Sequence, residues 1–345
     1  MGHSQGTDSP GVVDQQTDQR AGQAGSCCAW ASSCTGIRGL IVSSQSERSP
    51  VFIIGGSRTG SEMLKTMLSA SPDLDFVDEM RFLMPAWLHR DLVRTINSEF
   101  GSIAQVSSAD ALADLLYSGK PTGWFWSEAE TQLDREMLVS ELGSPPFNLV
   151  GLFRSIMVVH ARMRNKNGLG AKFPVHYSFA EQLAEWFPGC RFIHTTRHPK
   201  AVYFSQARKH EKTRQNRAGK TWSRLQQFAH ISIQTRGTAQ LHAKLGESPN
   251  YRLIRYEDII RAPEATISSL CEFLGVDFLP GMLLPNQYGS SFNEIGDARG
   301  IDASSLDKWR TQMSAFESRL FDGFSGRSVE RLGYGDSHAE PGAKE

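Results

Sequence analysis

The stretch that decides the fold runs from Pro50: Val51-Phe52-Ile53-Ile54-Gly55-Gly56-Ser57-Arg58-Thr59-Gly60-Ser61, followed by Glu62-Met63-Leu64-Lys65-Thr66-Met67-Leu68. Four consecutive apolar residues, mostly β-branched, read as a short strand buried on both faces. Glycines 55, 56 and 60 then mark a loop, and Met63, Leu64, Met67 and Leu68 recur at helical spacing. A glycine-rich turn entering a helix offers free backbone N–H groups and the positive end of the helix dipole, the local requirements of an anion site. Arg58 adds a charged fork, and Thr59 and Ser61 add hydroxyl donors. The alternative is an ordinary glycine turn.

The spacing of Gly55 and Gly60 fits the phosphate-binding fingerprint G-x-x-x-x-G-K-[ST]. Ser61 stands in place of its lysine, however, and Glu62 in place of its magnesium-binding hydroxyl. The loop therefore suits a phosphate-like anion better than magnesium-bound ATP. Outward from it, Leu74–Val77, 168–173, Arg191–Thr196 and Tyr251–Ile254 read as further strands. Tyr177–Phe187, the segment opening at Pro199, Lys220–Leu245 and Pro263–Leu274, closed by Gly275, read as helices. Alternating strands and helices predict a three-layer α/β fold, a central parallel sheet flanked by helices, with ligands beyond the carboxyl ends of the strands. Residues 80–165, broken but largely helical and rich in aromatics, read as an insertion covering the acceptor side.

The rest of the chain narrows the function class. Its 345 residues carry 37 basic and 37 acidic side chains, a balance that gives no sign of nucleic-acid or membrane-surface binding. Five cysteines, three of them at 27, 28 and 34, imply neither a disulfide framework nor a metal site. No apolar run approaches the ~20 residues that span a bilayer, and the polar first 25 residues do not read as a secretory signal. The expectation is a soluble, cytoplasmic protein with a disordered leader over 1–48, one domain over 49–335 and a flexible tail over 336–345.

A second anchor follows the strand Arg191–Thr196. Arg197 stands at its end, and Ser205 lies about two helical turns further on. Alone, the plainer reading of that pair is a surface arginine and a solvent-facing serine. Together, VFIIGGSRTGSEMLKTML from Val51 and RFIHTTRHPKAVYFS from Arg191 resemble the two nucleotide-binding blocks of sulfotransferases that use 3′-phosphoadenosine-5′-phosphosulfate (PAPS). GAKFPVHYSF around Lys172, IRYEDIIRAPEATISSLCEFLGV from Ile254, LDKWR from Leu306 and RLGYG from Arg331 continue the likeness in order over about residues 50–335. The tyrosylprotein and bacterial-type enzymes are the nearest group.

The resemblance implies that Gly55, Gly56, Ser57, Arg58, Thr59, Gly60 and Ser61 hold the 5′-phosphosulfate and that Arg197 and Ser205 hold the 3′-phosphate. Lys308, with Ser290 and Ser291, is a weaker donor-site candidate. Arg58 and Lys172 would neutralise the transferred group, and Glu79, in a Glu-x-Arg context with Arg81, would be the base. His176 and His89 are its rivals, and Arg252 and Arg255 read as structural. The implied reaction moves a sulfuryl group from PAPS to a hydroxyl or amine of a small molecule, glycan or peptide, releases PAP and needs no metal. A small-molecule kinase on the same scaffold and a non-catalytic nucleotide-binding protein are the alternatives.

Overall fold

A computed structural model describes residues 49–85, 91–213, 217–284, 286–288, 295–299, 301, 306 and 308–335. The expectations for 1–48 and 336–345, and for His89, Ser290 and Ser291, lie outside the described residues.

Strand β1 (Val51–Gly55) leads through the glycine loop into α1 (Ser61–Leu68). Six helices follow: α2 (Leu92–Phe100), α3 (Ala109–Tyr117), α4 (Trp124–Ser127), α5 (Ala129–Gln132), α6 (Arg135–Leu142) and α7 (Leu149–Met163). Next come β2 (Gly170–Lys172), α8 (Ala180–Trp186), β3 (Arg191–Thr196), α9 (Pro199–Thr213), α10 (Arg217–Leu245) and β4 (Tyr251–Arg255). The rest is α11 (Tyr256–Arg261), α12 (Pro263–Leu274), β5 (Asn286–Tyr288), β6 (Ile295–Arg299), α13 (Lys308–Gln312) and α14 (Ala315–Arg331).

The first four strands form a parallel sheet in the order β2-β1-β3-β4, and β5 and β6 form an antiparallel pair. Period-two alternation sends successive residues of β1 to opposite faces. Phe52 and Ile54 join a core with Phe153, Phe187 and Phe192, while Val51 and Ile53 join another with Leu64, Met67, Ile193, Ile267 and Leu270. The Phe52 ring lies 5.7 Å from both Phe187 and Phe192 and 6.0 Å from Phe153. Each such fully buried side chain contributes about 1.5–3 kcal/mol, which fixes β1 centrally and its carboxyl end where the loop begins.

Three segments depart most from the sequence reading. The expected strand Leu74–Val77 reduces to one bridge, Val77 to Ala171. Beyond it the Asp78 carboxylate accepts from the Glu79 N–H at 2.9 Å. The segment expected to be helical from Tyr177 opens instead as a 3₁₀ stretch, Pro174–Phe179, and becomes α-helical only at Ala180. The extended run 168–173 pairs only over Gly170–Lys172. By contrast, β3 and α12 fall where expected, with Gly275 in the left-handed conformation (φ 66°) capping α12.

In the insertion, Phe125, Trp126 and Phe153 are core residues, and the Trp126 indole donates to the Met80 carbonyl at 2.6 Å. Trp124 is exposed. Among the described residues, no helix is long and apolar enough to cross a membrane.

Candidate active site

The loop after β1 is shaped for close approach. Gly60 is the N-cap of α1 with φ 87°, and it supplies no side-chain cap to the first-turn N–H groups. A Cβ at Gly60 would lie 2.5 Å from the Tyr256 ring, so glycine is required on both conformational and steric grounds. Arg58 also has a left-handed backbone, φ 67°, a conformation that costs a non-glycine residue about 1–3 kcal/mol and often accompanies ligand clamps. Thr59 donates its hydroxyl proton to the Gly56 carbonyl at 2.7 Å and sits 2.8 Å from the Thr195 hydroxyl. Its proton thus serves the shape of the loop, where the sequence reading had it serving the anion. Ser57 is exposed, and Ser61 is buried at the first position of α1.

The two anchors meet. Arg58 Nε donates to Ser205 Oγ at 3.3 Å across 147 residues of sequence. The Arg197 guanidinium lies 4.1 Å over the Tyr256 ring centroid, the same ring that abuts Gly60. Burial, and then the charge of Arg197, push the Arg58 pKa down. Arg58, Arg197, Ser205 and Tyr256 therefore form one group at the carboxyl ends of β1 and β3, where like charges are drawn together. An anion with oxygens between the two guanidiniums would relieve that repulsion, so these residues fit a phosphorylated ligand.

A second group lies beside the loop. Lys172 ends β2 in register with Ile53 of β1 and is 2% exposed. Its ammonium meets Asp78 Oδ1 at 2.6 Å, Glu62 Oε2 at 2.7 Å and Glu79 Oε1 at 3.1 Å. Lys65 completes the cluster, 2.6 Å from Asp78 Oδ2 and 2.7 Å from Glu62 Oε1. Burial lowers the Lys172 pKa, but Asp78, Glu79 and Glu62 outweigh it and raise the pKa above the usual lysine value. Burial likewise opposes charge on Asp78, and Lys172 and Lys65 overcome it, holding its carboxyl well below the usual range. Glu62, unexpected at its place in the loop motif, is accounted for by these two lysines.

Other candidates separate from the site. His176 is enclosed by the rings of Phe153, Phe173 and Phe179, with neither ring nitrogen hydrogen-bonded. Burial pushes its pKa down to about 3, which makes it a neutral core histidine and speaks against the base role. Arg81, with φ 45°, lays its side chain against Gly123 of the insertion. Arg252 stacks over Phe273, and Arg255 pairs with Asp258 at 2.8 Å, both structural as expected. Lys308 opens α13, but its side chain lies outside the described residues.

The segments around the second anchor are tied together by contacts that sequence spacing does not reveal. Glu257 accepts from the His198 N–H at 3.0 Å and from the Tyr334 hydroxyl at 2.9 Å. The His198 ring stacks on Trp309 at 4.6 Å, and Arg255 donates to the Gly333 carbonyl at 2.6 Å. Tyr256, Glu257 and Asp258 thus each have a separate task beside Arg197. Sequence reasoning also missed Asp78 and Lys65. The signal for both was present: Asp78 adjoins Glu79, and Lys65 lies one turn from Glu62.

A family model described as Sulfotransferase family matches residues 50–280. The chain belongs to the sulfotransferase family. The match spans both anchors, Lys172 and the Tyr256-Glu257-Asp258 run. Among solved structures, the sulfotransferase domain from the curacin biosynthetic pathway is 20% identical with a TM-score of 0.47, over 81% of this chain and 98% of that one. The sulfotransferase domain of the Synechococcus PCC 7002 olefin synthase is 18% identical with a TM-score of 0.47, over 86% and 97%. A mouse sulfotransferase complexed with PAP is 10% identical with a TM-score of 0.43, over 86% and 90%. The enzyme class is sulfuryl transfer.

Proposed function

We propose that this sulfotransferase uses PAPS as donor and a hydroxyl or amine of a small molecule, glycan or peptide as acceptor. The observation that carries the reading is the Arg58–Ser205 contact, with Arg197 close enough to lower the Arg58 pKa. When bound, PAPS supplies the sulfuryl group and leaves as PAP. Arg197 and Ser205 hold its 3′-phosphate, while Arg58 and the first-turn amides of α1 hold its 5′ end.

The lysine cluster handles the charge and the proton. An ammonium has three protons, and three carboxylates take those of Lys172. Glu79 makes the longest of these contacts and, with a side chain 39% exposed, is the most accessible of the three carboxylates. Turning toward an acceptor, Glu79 takes its proton as the acceptor oxygen or nitrogen bonds to sulfur and the sulfur–oxygen bond to the leaving phosphate breaks. The Lys172 proton it releases is then available to the transferring group. Asp78 and Glu62 keep the ammonium in place throughout.

A kinase would keep magnesium at the position of Glu62, but that carboxylate is engaged by Lys65 and Lys172. The test is incubation with ³⁵S-labelled PAPS and fractionated cell extract in EDTA. A labelled product and stoichiometric PAP are expected. Transfer only from ATP and only with magnesium would replace the reading with a kinase.

A further inference from the structure

The loop has one more polar neighbour, on a helix that the sequence reading left outside the site. Gln234 of α10 is buried. With its amide oriented to present an acceptor to the loop, its oxygen accepts from the Ser57 N–H at 2.8 Å and the Gly56 N–H at 3.2 Å. A Cβ on Gly56 would lie 1.8 Å from the end of that side chain, so glycine at 56 is what lets Gln234 reach the backbone. The helix is seated at this level: Thr235 and Thr238 are buried, and a Cβ on Gly237 would meet the Tyr177 ring at 2.9 Å.

The N–H groups of the loop therefore divide into two sets. Those of Gly56 and Ser57 are satisfied within the protein. Those of the first turn of α1, beyond Gly60, receive no side-chain cap. The next residue along, Arg58, carries the left-handed backbone and reaches Ser205.

We infer that Gln234 is a positioning residue for the donor loop: it pins the Gly56–Ser57 turn so that Arg58 stands at Ser205 and the anion is confined to the amides of α1. The inference rests on the donor reading above. The opposite possibility is a glutamine that occupies anion-binding amides until the donor displaces it, and the two predict opposite signs.

Two variants separate them. Gln234→Met keeps the length and removes the acceptor, whereas Gln234→Glu keeps an acceptor. Hydrogen exchange of the ligand-free loop, thermal midpoint and PAP calorimetry are measured on each. In Gln234→Met, Gly56 and Ser57 are expected to lose protection and PAP to bind about tenfold more weakly, the KM for PAPS rising with kcat little changed. In Gln234→Glu, loop protection is expected to remain. Wild-type loop protection in Gln234→Met, or PAP binding as tight as or tighter than wild type, overturns the inference. If the wild-type protein itself bound no PAP, the donor reading would fall, while loop protection would still decide whether Gln234 pins the turn.

Discussion

Two charged regions flank the glycine loop, and they are built on opposite rules. At one, Arg58 and Arg197 bring like charges together beside Ser205 and Tyr256. At the other, Lys172 and Lys65 are interleaved with Glu62, Asp78 and Glu79, and every proton of Lys172 has a carboxylate. The first arrangement favours an incoming anion. The second has its ammoniums paired and carries one more carboxylate than ammonium. On the proposed function, binding and proton transfer fall to two separate groups beside one loop.

If that division holds, substitutions at the lysine end change turnover and those at the arginine end change nucleotide affinity. The largest effect is expected from Glu79→Gln, which keeps an acceptor for Lys172 but cannot take a proton. Its kcat should fall about 10²–10⁴-fold with PAP affinity by calorimetry unchanged; full turnover would remove Glu79 from the base role. Lys172→Met should cost about 10²–10³ in kcat and, by leaving Asp78 and Glu62 to Lys65 alone and Glu79 without its lysine, about 3–5 kcal/mol of stability. Single-turnover rates and denaturant melts check both.

The smallest effect lies outside both groups and sharpens the contrast between a working and a structural ionisable group. Burial lowers the His176 pKa from 6.5 to about 3. Over that window the unfolded chain binds a proton that the folded chain does not. Stability is therefore full above pH 6.5 and lost as pH falls toward 3. His176→Phe should flatten the acid limb of the thermal midpoint without altering the pH dependence of kcat. A shifted kcat profile would return His176 to the site.

What the sequence made legible was what is local. The apolar run Val51–Ile54 and the Gly275 cap declare β1 and the end of α12 through properties of neighbouring residues. Arg58 could be singled out from its loop, and Lys172, Glu79, Arg197 and Ser205 through the family resemblance of the segments that carry them. What holds them was not legible. Lys172 reaches Asp78 only because β2 pairs with β1 and Val77 bridges Ala171. Glu257 matters to the second anchor only because α11 meets the His198 backbone and Tyr334. Leu74–Val77 misled because its apolar residues report burial, whereas only Val77 is placed to bridge Ala171.

The central claim is that Arg197 reads the 3′-phosphate while Arg58 reads the 5′ end. It is tested most directly by titrating wild type and Arg197→Ala with PAP and with AMP, which lacks the 3′-phosphate. Wild type should prefer PAP by about tenfold or more, and the variant should bind the two alike. An Arg197→Ala protein that kept the full preference for PAP would contradict the assignment.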